Sequence, residues 1–395
     1  MSTAAPRVAM VSLHSSPLTQ PGSGDSGGMN VAILGLAEQL ARRGATVDLL
    51  TRATGDPVER EVSPGVVLYE LAAGPRGVLA KEELAGVTDE FGEAVAALTG
   101  RRRPRYDVIH AHYWLSGLAV LPVALELALP LVQSFHTLAA MKNAVVGSGE
   151  PERRLPTEMF LANQATAIVA GSAAEATALI DLARAPADRV WVIPPGVDLD
   201  LFAPSLVAPV RVHRELGIDP GRPIVAVVGR IQPLKDQELA IRALALAKPG
   251  PVMVVAGEAT PGDEGYLESL RALGGDVRFV GALSRERLAD LLAAAWITIL
   301  PSHSETFGIV ALESAASGTP VIAYRGSGMV ESVADGVSGL LIDTREPADW
   351  AAGIDELLGD RERLAALGAS ARHHAEPYTW AASATALLAL YESLL

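Results

Sequence analysis

Short apolar runs alternate with amphipathic stretches along almost the whole of the 395-residue chain, and this alternation restricts the possible folds more than any other feature. The apolar runs have the length and composition of buried β-strands. The stretches between them, such as VAILGLAEQLARR (31–43), carry apolar residues at helical spacing. Strands are predicted at 7–14, 45–51, 66–71, 107–112, 129–136, 167–172, 190–195, 224–230, 251–258, 277–283, 296–302, 320–325 and 339–343.

Strands that alternate with helices in this way form parallel sheets covered on both faces, which is the α/β class. The strands fall into two sets that meet near PPGVDLDLFAPS (194–205), and a chain of this length suits two domains better than one. We therefore expect two Rossmann-like parallel-sheet domains, at residues 1–200 and 201–376, that face each other across a cleft. The last segment, 377–395, is predicted to be a helix that can cross back to the first domain.

Charge and composition exclude several classes of protein. The formal net charge is −14 and the only tight basic cluster is RRRPR (101–105), which disfavours nucleic-acid binding. The chain has no cysteine, which excludes a disulfide framework, a thiolate metal site and a cysteine nucleophile. The run 115–132 contains Glu126 and two prolines, so it predicts a buried helix and a strand rather than a membrane span. Without an apolar signal-peptide core at the N-terminus, we expect a soluble, cytoplasmic protein.

A glycine-rich turn, QPGSGDSGGMN (20–30), follows the first strand and leads into a helix predicted to begin near Met29. Exposed backbone N–H groups at a helix N-terminus bind anions, so phosphate is the expected ligand. The turn is too long for the dinucleotide fingerprint and no acidic residue ends the second strand at LLTR (49–52), which disfavours a dehydrogenase. A tight turn that only needs flexible residues is the alternative.

GRIQPLKD (229–236) follows the first strand of the second half. Arg230 and Lys235 leave the end of that strand, so both side chains can reach the expected cleft. Two cations placed there would neutralise a diphosphate and stabilise its departure as a leaving group. An ordinary solvated loop is the alternative.

SHSETFGIVALES (302–314) follows another strand, and its helix is predicted to start near Phe307. Glu305 then lies at the mouth of the helix and Glu313 about two turns on, roughly 12 Å away along the axis. Carboxylates at that separation do not act as an acid/base pair on one bond. They can accept hydrogen bonds from hydroxyls at opposite ends of a sugar nucleotide. An internal salt bridge is the alternative role for Glu313.

Polar residues also end strands of the first half: His14, Tyr113, and His136 beside Thr137. His136 is interpreted either as a buried structural histidine or as a residue of the site. His110 and His112 resemble a metal-binding pair, but we expect them on opposite faces of their strand and hence unable to share an ion.

Taken together, GRIQPLK, the Glu305-x7-Glu313 pair and PPGVD (194–198) resemble the retaining GT-B glycosyltransferases of family 4, over nearly the whole chain. Within that family, three segments of the first half are similar to the group that glycosylates inositol 3-phosphate in mycothiol biosynthesis. They are HSSPLTQPGSGDSGGMN (14–30), HAHYWLSG (110–117) and HTLAAMKN (136–143).

The resemblance implies roles for individual residues. Residues at the reacting centre are Arg230, Lys235 and His136. Donor-binding residues are Gln20, Pro21, Gly28, Leu283, Glu305, Thr306, Phe307, Gly308 and Glu313. Acceptor-binding residues are His14, Asp25, Ser26, Gly27, Asn30, Lys81, Tyr113, Thr137 and Arg154. The resemblance also implies a homodimer and no required cofactor, with Mg²⁺ beside the acceptor phosphate left open.

The expected reaction is transfer of N-acetylglucosamine from UDP-N-acetylglucosamine to 1D-myo-inositol 3-phosphate, with retention of configuration. Glu331 in GSGMVESV, Ala32 and the short segment between Asn143 and Arg154 depart from the mycothiol group, so the nucleotide and the hexose stay open. A family 4 enzyme with another sugar nucleotide and a sugar phosphate or aminocyclitol acceptor is the first alternative. A sugar-nucleotide epimerase of the same fold and a non-catalytic nucleotide-sugar-binding protein are the others.

Overall fold

The computed structural model describes residues 5–143, 150–248, 250–260, 262–326 and 328–395, with the backbone alone at 81 and 82. The chain forms two compact units. The first contains the chain up to Thr19, then Met29–Pro194 and Trp380–Leu395, and the second contains Gln20–Gly28 and Pro195–Thr379. None of the helices found in these ranges has the length and apolarity that crossing a membrane requires.

The first unit contains an eight-stranded sheet in the order β3-β4-β2-β1-β5-β6-β7-β8. All neighbouring pairs are parallel except β3 and β4, which are antiparallel. The strands are β1 Arg7–Ser12, β2 Thr46–Arg52, β3 Val58–Ser63, β4 Val66–Leu71, β5 Val108–His112, β6 Leu131–Ser134, β7 Ala167–Ala170 and β8 Val190–Val192. Every strand predicted for this half is present, and β3 is an addition. Its sequence, VEREVS, is polar and exposed at the sheet edge, so it lacks the apolar signal of the others.

Helices cover both faces of this sheet. They are α1 Gly28–Arg42, α2 Lys81–Leu84, α3 Thr88–Arg101, α4 Trp114–Leu127, α5 Ala139–Asn143, α6 Arg154–Gln164, α7 Ala173–Asp181 and, from the end of the chain, Trp380–Ser393. The predicted buried helix within 115–132 is α4, followed by β6. The Trp380–Ser393 helix places Ala384, Leu387, Leu390 and Tyr391 in the same buried cluster as residues of β1 and β2.

The second unit contains a six-stranded sheet in the order β11-β10-β9-β12-β13-β14, with all pairs parallel. The strands are β9 Ile224–Val228, β10 Val252–Ala256, β11 Val277–Gly281, β12 Ile297–Leu300, β13 Val321–Tyr324 and β14 Gly339–Ile342. The helices are α8 Ala208–Leu216, α9 Gln237–Leu246, α10 Glu264–Ala272, α11 Arg285–Ala294, α12 Ile309–Ala316, α13 Met329–Ser332, α14 Pro347–Gly359 and α15 Arg361–Ala375; Trp380–Ser393 is thus α16. All six strands predicted for this half are confirmed.

Strand order changes direction beside the first strand of each sheet. β1 lies between β2 and β5, and β9 lies between β10 and β12. Loops that leave the carboxyl ends of such strands form the ligand sites of open α/β sheets. GRIQPLK follows β9 and so lies at the switch point of the second sheet, whereas the glycine-rich turn comes after β1 along the chain.

Candidate functional site

Two cations follow β9, the strand at the switch point of the second sheet. Arg230 Nη1 lies 3.3 Å from a carboxylate oxygen of Asp25. Lys235, further along the same loop, contacts the carboxylate of Glu305 through Nζ. Each cation is thus paired with a carboxylate, and a phosphate oxygen can take the place of a carboxylate oxygen in such a pair.

The glycine-rich turn Gln20–Gly28 packs within the second unit although it follows β1. A Cβ at Gly27 would lie 3.7 Å from Nε of Arg230, and a Cβ at Gly28 would lie 3.4 Å from Cδ1 of Ile309. The turn therefore brings its backbone close to the cation loop and to the start of α12. It also contains several of the predicted contact residues, namely Gln20, Pro21, Asp25, Ser26 and Gly27.

The loop before α12 is held by close backbone contacts. The N–H of Gly328 donates to the carbonyl of Glu305 at 2.9 Å, and a Cβ at Gly328 would lie 1.9 Å from the carbonyl oxygen of Thr306. Phe307 is buried against the ring of Tyr378, with ring centroids 5.7 Å apart. The helix begins at Ile309, near Phe307 as predicted, and Gly308, with a φ of 92°, is its N-cap.

Glu313 lies inside α12 and is 1% exposed. Arg285, the first residue of α11, places Nη2 2.7 Å from its carboxylate and stacks its guanidinium 4.7 Å from the ring centre of Phe202. Burial raises the pKa of Glu313, and Arg285 opposes that rise. The salt bridge left open for Glu313 is therefore present. Leu283, the other donor residue predicted in this region, packs partly buried against the same apolar cluster as Phe202.

In the first unit, aromatic and basic side chains predicted for the acceptor lie together. The rings of His14 and Tyr113 have centroids 4.3 Å apart, and the guanidinium of Arg154 lies 4.9 Å from the Tyr113 ring centre. Arg154 is fully buried and donates to the carbonyl of Thr137 at 2.7 Å and to its hydroxyl at 3.0 Å. Tyr113 has a φ of 75°, a strained value of the kind that collects at functional sites.

Two carboxylates that the sequence reasoning missed hold Arg154 in place. Glu158 accepts from Arg154 Nε at 2.6 Å, and Glu150 contacts Nη1. Lys142 pairs with Glu150 at 2.8 Å. Burial opposes ionisation of Glu150, but Lys142 and Arg154 together hold its pKa below the ordinary value. Glu150, Arg154 and Glu158 are spaced four residues apart, and this spacing was the available signal.

Three histidines lie at the adjoining ends of β5 and β6. The rings of His110 and His112 stack with centroids 4.2 Å apart, so the expectation that they lie on opposite faces was wrong. Residues two apart in a strand share a face, and only neighbours alternate. His112 Nδ1 lies 2.9 Å from His136 Nε2, and His136 has a φ of 61°. Burial lowers the pKa of His136 to about 4 and that of His110 to about 3.

Two further predicted acceptor residues, Asn30 and Lys81, are not part of this cluster of side chains. Asn30 is buried and donates to the Ser15 hydroxyl at 2.9 Å and to the Ser16 carbonyl at 2.7 Å, so it fixes the loop after β1. Lys81 begins α2, but its side chain lies outside the described part of the structure. The segment 144–149 before Arg154 is likewise outside it.

Comparisons with known proteins identify the family. Residues 26–201 match the model described as Glycosyltransferase Family 4, and residues 211–374 match that of Glycosyl transferases group 1. Proteins named D-inositol 3-phosphate glycosyltransferase from Segniliparus rotundus and Nocardia farcinica are each 42% identical, over 98% of this chain and 89% and 90% of theirs. The chain belongs to glycosyltransferase family 4.

Solved structures show that this glycosyltransferase has the GT-B architecture. Sucrose-phosphate synthase from Thermosynechococcus elongatus has a TM-score of 0.90 at 30% identity, over 98% of the glycosyltransferase and 99% of that chain. WaaG, a glycosyltransferase of lipopolysaccharide biosynthesis, has a TM-score of 0.74 at 18% identity, over 97% and 99%. The resemblance stated from the sequence is confirmed for family and fold.

Within the described ranges of the glycosyltransferase, no group of three or more His, Asp or Glu side chains is placed to hold a metal ion. Both ring nitrogens of His110 are already bonded, to Tyr391 at 2.7 Å and to Ser134 at 2.8 Å. The HAH segment (110–112) is therefore part of a buried hydrogen-bonded cluster.

Proposed function

We propose that this glycosyltransferase moves N-acetylglucosamine from UDP-N-acetylglucosamine to 1D-myo-inositol 3-phosphate with retention of configuration. The observation that carries the acceptor assignment is the assembly of Tyr113, Thr137 and buried Arg154 in one place. Arg154 is held by Glu150 and Glu158, so a phosphate monoester beside Tyr113 and Thr137 would replace the Glu150 carboxylate as its partner. Relatives at 42% identity that are named for inositol 3-phosphate support the same acceptor.

On the donor side, Arg230 and Lys235 would take the diphosphate, exchanging their present carboxylate partners for phosphate oxygens. Glu305, once separated from Lys235, would accept a hydrogen bond from a hydroxyl of the hexose. Glu313 would accept from the ribose hydroxyls. Backbone N–H groups of the glycine-rich turn would add to the stabilisation of the diphosphate.

The reaction then needs no protein nucleophile. The bond between the anomeric carbon and the diphosphate oxygen breaks, and a bond to the acceptor hydroxyl oxygen forms on the same face of the sugar. The hydroxyl proton passes to the departing phosphate oxygen. The protein contributes positioning and stabilisation of the negative charge that develops on the leaving group.

The deciding experiment incubates the protein with UDP-N-acetylglucosamine, with and without inositol 3-phosphate. Mass spectrometry identifies the product, and its anomeric proton coupling gives the stereochemistry. UDP release that depends on inositol 3-phosphate and an α-linked product support the proposal. UDP release at the same rate without acceptor, or an inverted product, contradicts it.

Matched variants test the donor assignment and the acceptor assignment separately. Lys235→Ala should lower kcat on the order of 10²-fold, because it removes charge stabilisation from the leaving group. Lys248→Ala, at an exposed lysine of the same unit, should leave kcat unchanged. Arg154→Met should raise KM for the acceptor, whereas Arg153→Met at the exposed neighbour should not.

A second candidate within the family is a sugar-phosphate acceptor. The 30% identity and TM-score of 0.90 to sucrose-phosphate synthase favour it. A panel of sugar nucleotides and sugar phosphates, assayed for UDP or ADP release, distinguishes the two. A separate proposal concerns metal and assembly: no metal is required, and the protein is a homodimer. Turnover that does not change in EDTA tests the first statement, and the molar mass from light scattering tests the second.

A further inference from the structure

The rings of His112 and His136 meet at the adjoining ends of β5 and β6 in the first sheet. His112 is the last residue of β5, fully buried, and β5 pairs with β6 so that His112 lies opposite Ser134. His136 follows two residues later. Their rings stack at 5.1 Å with an angle of 25°, and the Nδ1 to Nε2 distance of 2.9 Å is that of a hydrogen bond.

One proton is shared in this contact, because both rings are neutral near pH 7. Burial lowers the pKa of His112 well below its ordinary value and that of His136 to about 4. A neutral imidazole carries one N–H and one lone pair. Therefore either His112 Nδ1–H donates to His136 Nε2, or His136 Nε2–H donates to His112 Nδ1.

The other nitrogen of His112 decides between the two arrangements. His112 Nε2 is buried and has no hydrogen-bond partner among the described residues. If His136 donated, this nitrogen would carry an N–H with nothing to receive it. If His112 donates, Nε2 is an unprotonated lone pair. Orphaned buried N–H donors are rarer than under-satisfied acceptors, so the second arrangement is the stable one.

Neighbouring groups hold His112 in this role. His110 stacks on His112, and Tyr391 of α16 contacts His110 in turn. His110 is itself fixed by Tyr391 and by the hydroxyl of Ser134. The 2.9 Å contact between His112 Nδ1 and His136 Nε2 keeps Nδ1 of His112 directed at His136.

We infer that His112 is a positioning residue that fixes His136 as the Nδ1–H tautomer. His136 then offers a hydrogen from Nδ1 and has its Nε2 lone pair occupied by His112. It can donate a hydrogen bond to the donor sugar or its leaving oxygen, and it cannot take the acceptor proton through Nε2. The part of this inference that concerns substrate rests on the proposed function, whereas the tautomer does not.

The tautomer is measured directly on the full-length wild-type protein without substrate. Nitrogen-15 labelling of histidine, with the His136 signals assigned from their loss in His136→Asn, reports which ring nitrogen is protonated. We expect a protonated Nδ1 and an unprotonated Nε2 for His136. A protonated Nε2 would overturn the inference, whatever the substrates prove to be.

An isosteric pair of variants tests the positioning role. The amide nitrogen of His112→Asn can occupy the place of Nδ1 and donate, whereas the carboxylate of His112→Asp can only accept. Asn should preserve the tautomer of His136 and keep kcat within about threefold. Asp should reverse the tautomer, raise the pKa of His136 and lower kcat on the order of 10²-fold, with KM for the acceptor unchanged.

His373→Asn, at an exposed histidine of α15, is the control and should change nothing. A role limited to packing predicts equal effects of Asn and Asp, because the two side chains have the same shape. Equal kcat values for both variants would therefore refute the positioning role even if the reaction itself is as proposed. Should His112→Asp fail to fold, His112→Leu replaces it, since Leu has no donor and is expected to lose kcat that Asn retains.

Discussion

Removal of Arg285 gives a test of the buried ion pair with Glu313 that can be worked out in advance. Arg285→Met keeps an unbranched side chain without charge; it removes the guanidinium that lies over Phe202 and leaves the carboxylate of Glu313 without its cation. Glu313 is 1% exposed, so an unpaired charge there is strongly disfavoured. The carboxyl group of Glu313 will therefore bind a proton and become neutral.

Proton uptake sets the size of the effect. Keeping a glutamate protonated costs about 1.4 kcal/mol for each pH unit above about 4.3, or about 3.7 kcal/mol at pH 7. This lies within the range of about 3–5 kcal/mol found when one partner of a buried pair is removed. At pH 5 the same reasoning gives about 1 kcal/mol.

The sign of the pH dependence follows from linkage. The pKa of folded Glu313 is already raised by burial, and loss of Arg285 raises it further. Between the unfolded and the folded pKa the folded state binds more protons, so the free energy of unfolding falls as pH rises. The variant should therefore be close to wild type near pH 4.5 and lose stability steadily towards pH 8.

The assay is urea unfolding at pH 5, 6, 7 and 8 of Arg285→Met and of the double variant with Glu313→Gln, which has no charge to bury. The difference in the free energy of unfolding between the single variant and the double variant should grow as the pH rises. Arg287→Met is the matched control, because Arg287 lies in the same helix and pairs with Glu215 at an exposed site worth less than about 1 kcal/mol. Equal, pH-independent losses for the two single variants would refute the reasoning.

Two other substitutions probe the site and the core. Gly328→Ala would place a Cβ 1.9 Å from the carbonyl oxygen of Thr306, so it should weaken UDP binding at least tenfold by calorimetry, whereas Gly265→Ala, with open space around it, should not. Tyr391→Phe removes the 2.7 Å hydrogen bond to His110 and should lower the free energy of unfolding by about 1–3 kcal/mol; an unchanged urea midpoint would show that this bond does not contribute.

The strands could be predicted because each buried strand needs an apolar run, and a run of that kind is visible locally. β3 could not, since Val58–Ser63 is stabilised by pairing with β4 at an exposed edge and has no apolar face to reveal it. The start of α12 was predicted near Phe307 and lies at Ile309. The sequence TFG does not show that Gly308 adopts a positive φ and delays the helix.

Candidate site residues could be proposed wherever they follow a strand end, as Arg230 and His136 do. The residues that pair with them could not be predicted, because each ion pair or hydrogen bond joins segments that are far apart in the sequence. Arg285 begins α11 whereas Glu313 lies in α12, and His112 meets His136 only because β5 lies beside β6. The spacing of Glu150, Arg154 and Glu158 is an exception, as a local four-residue repeat carries that information.

The assignment of α16 to the first unit bears on how the protein is made. Trp380–Ser393 is translated after the whole of Pro195–Thr379, yet Leu387, Leu390 and Tyr391 complete a core formed largely by the first half of the chain. The second unit can mature as soon as its own segment has left the ribosome. The earlier-synthesised sheet must wait for α16 to arrive, with one apolar face covered only in part, by α1. Chaperone dependence and aggregation during synthesis should accordingly concentrate in the first unit.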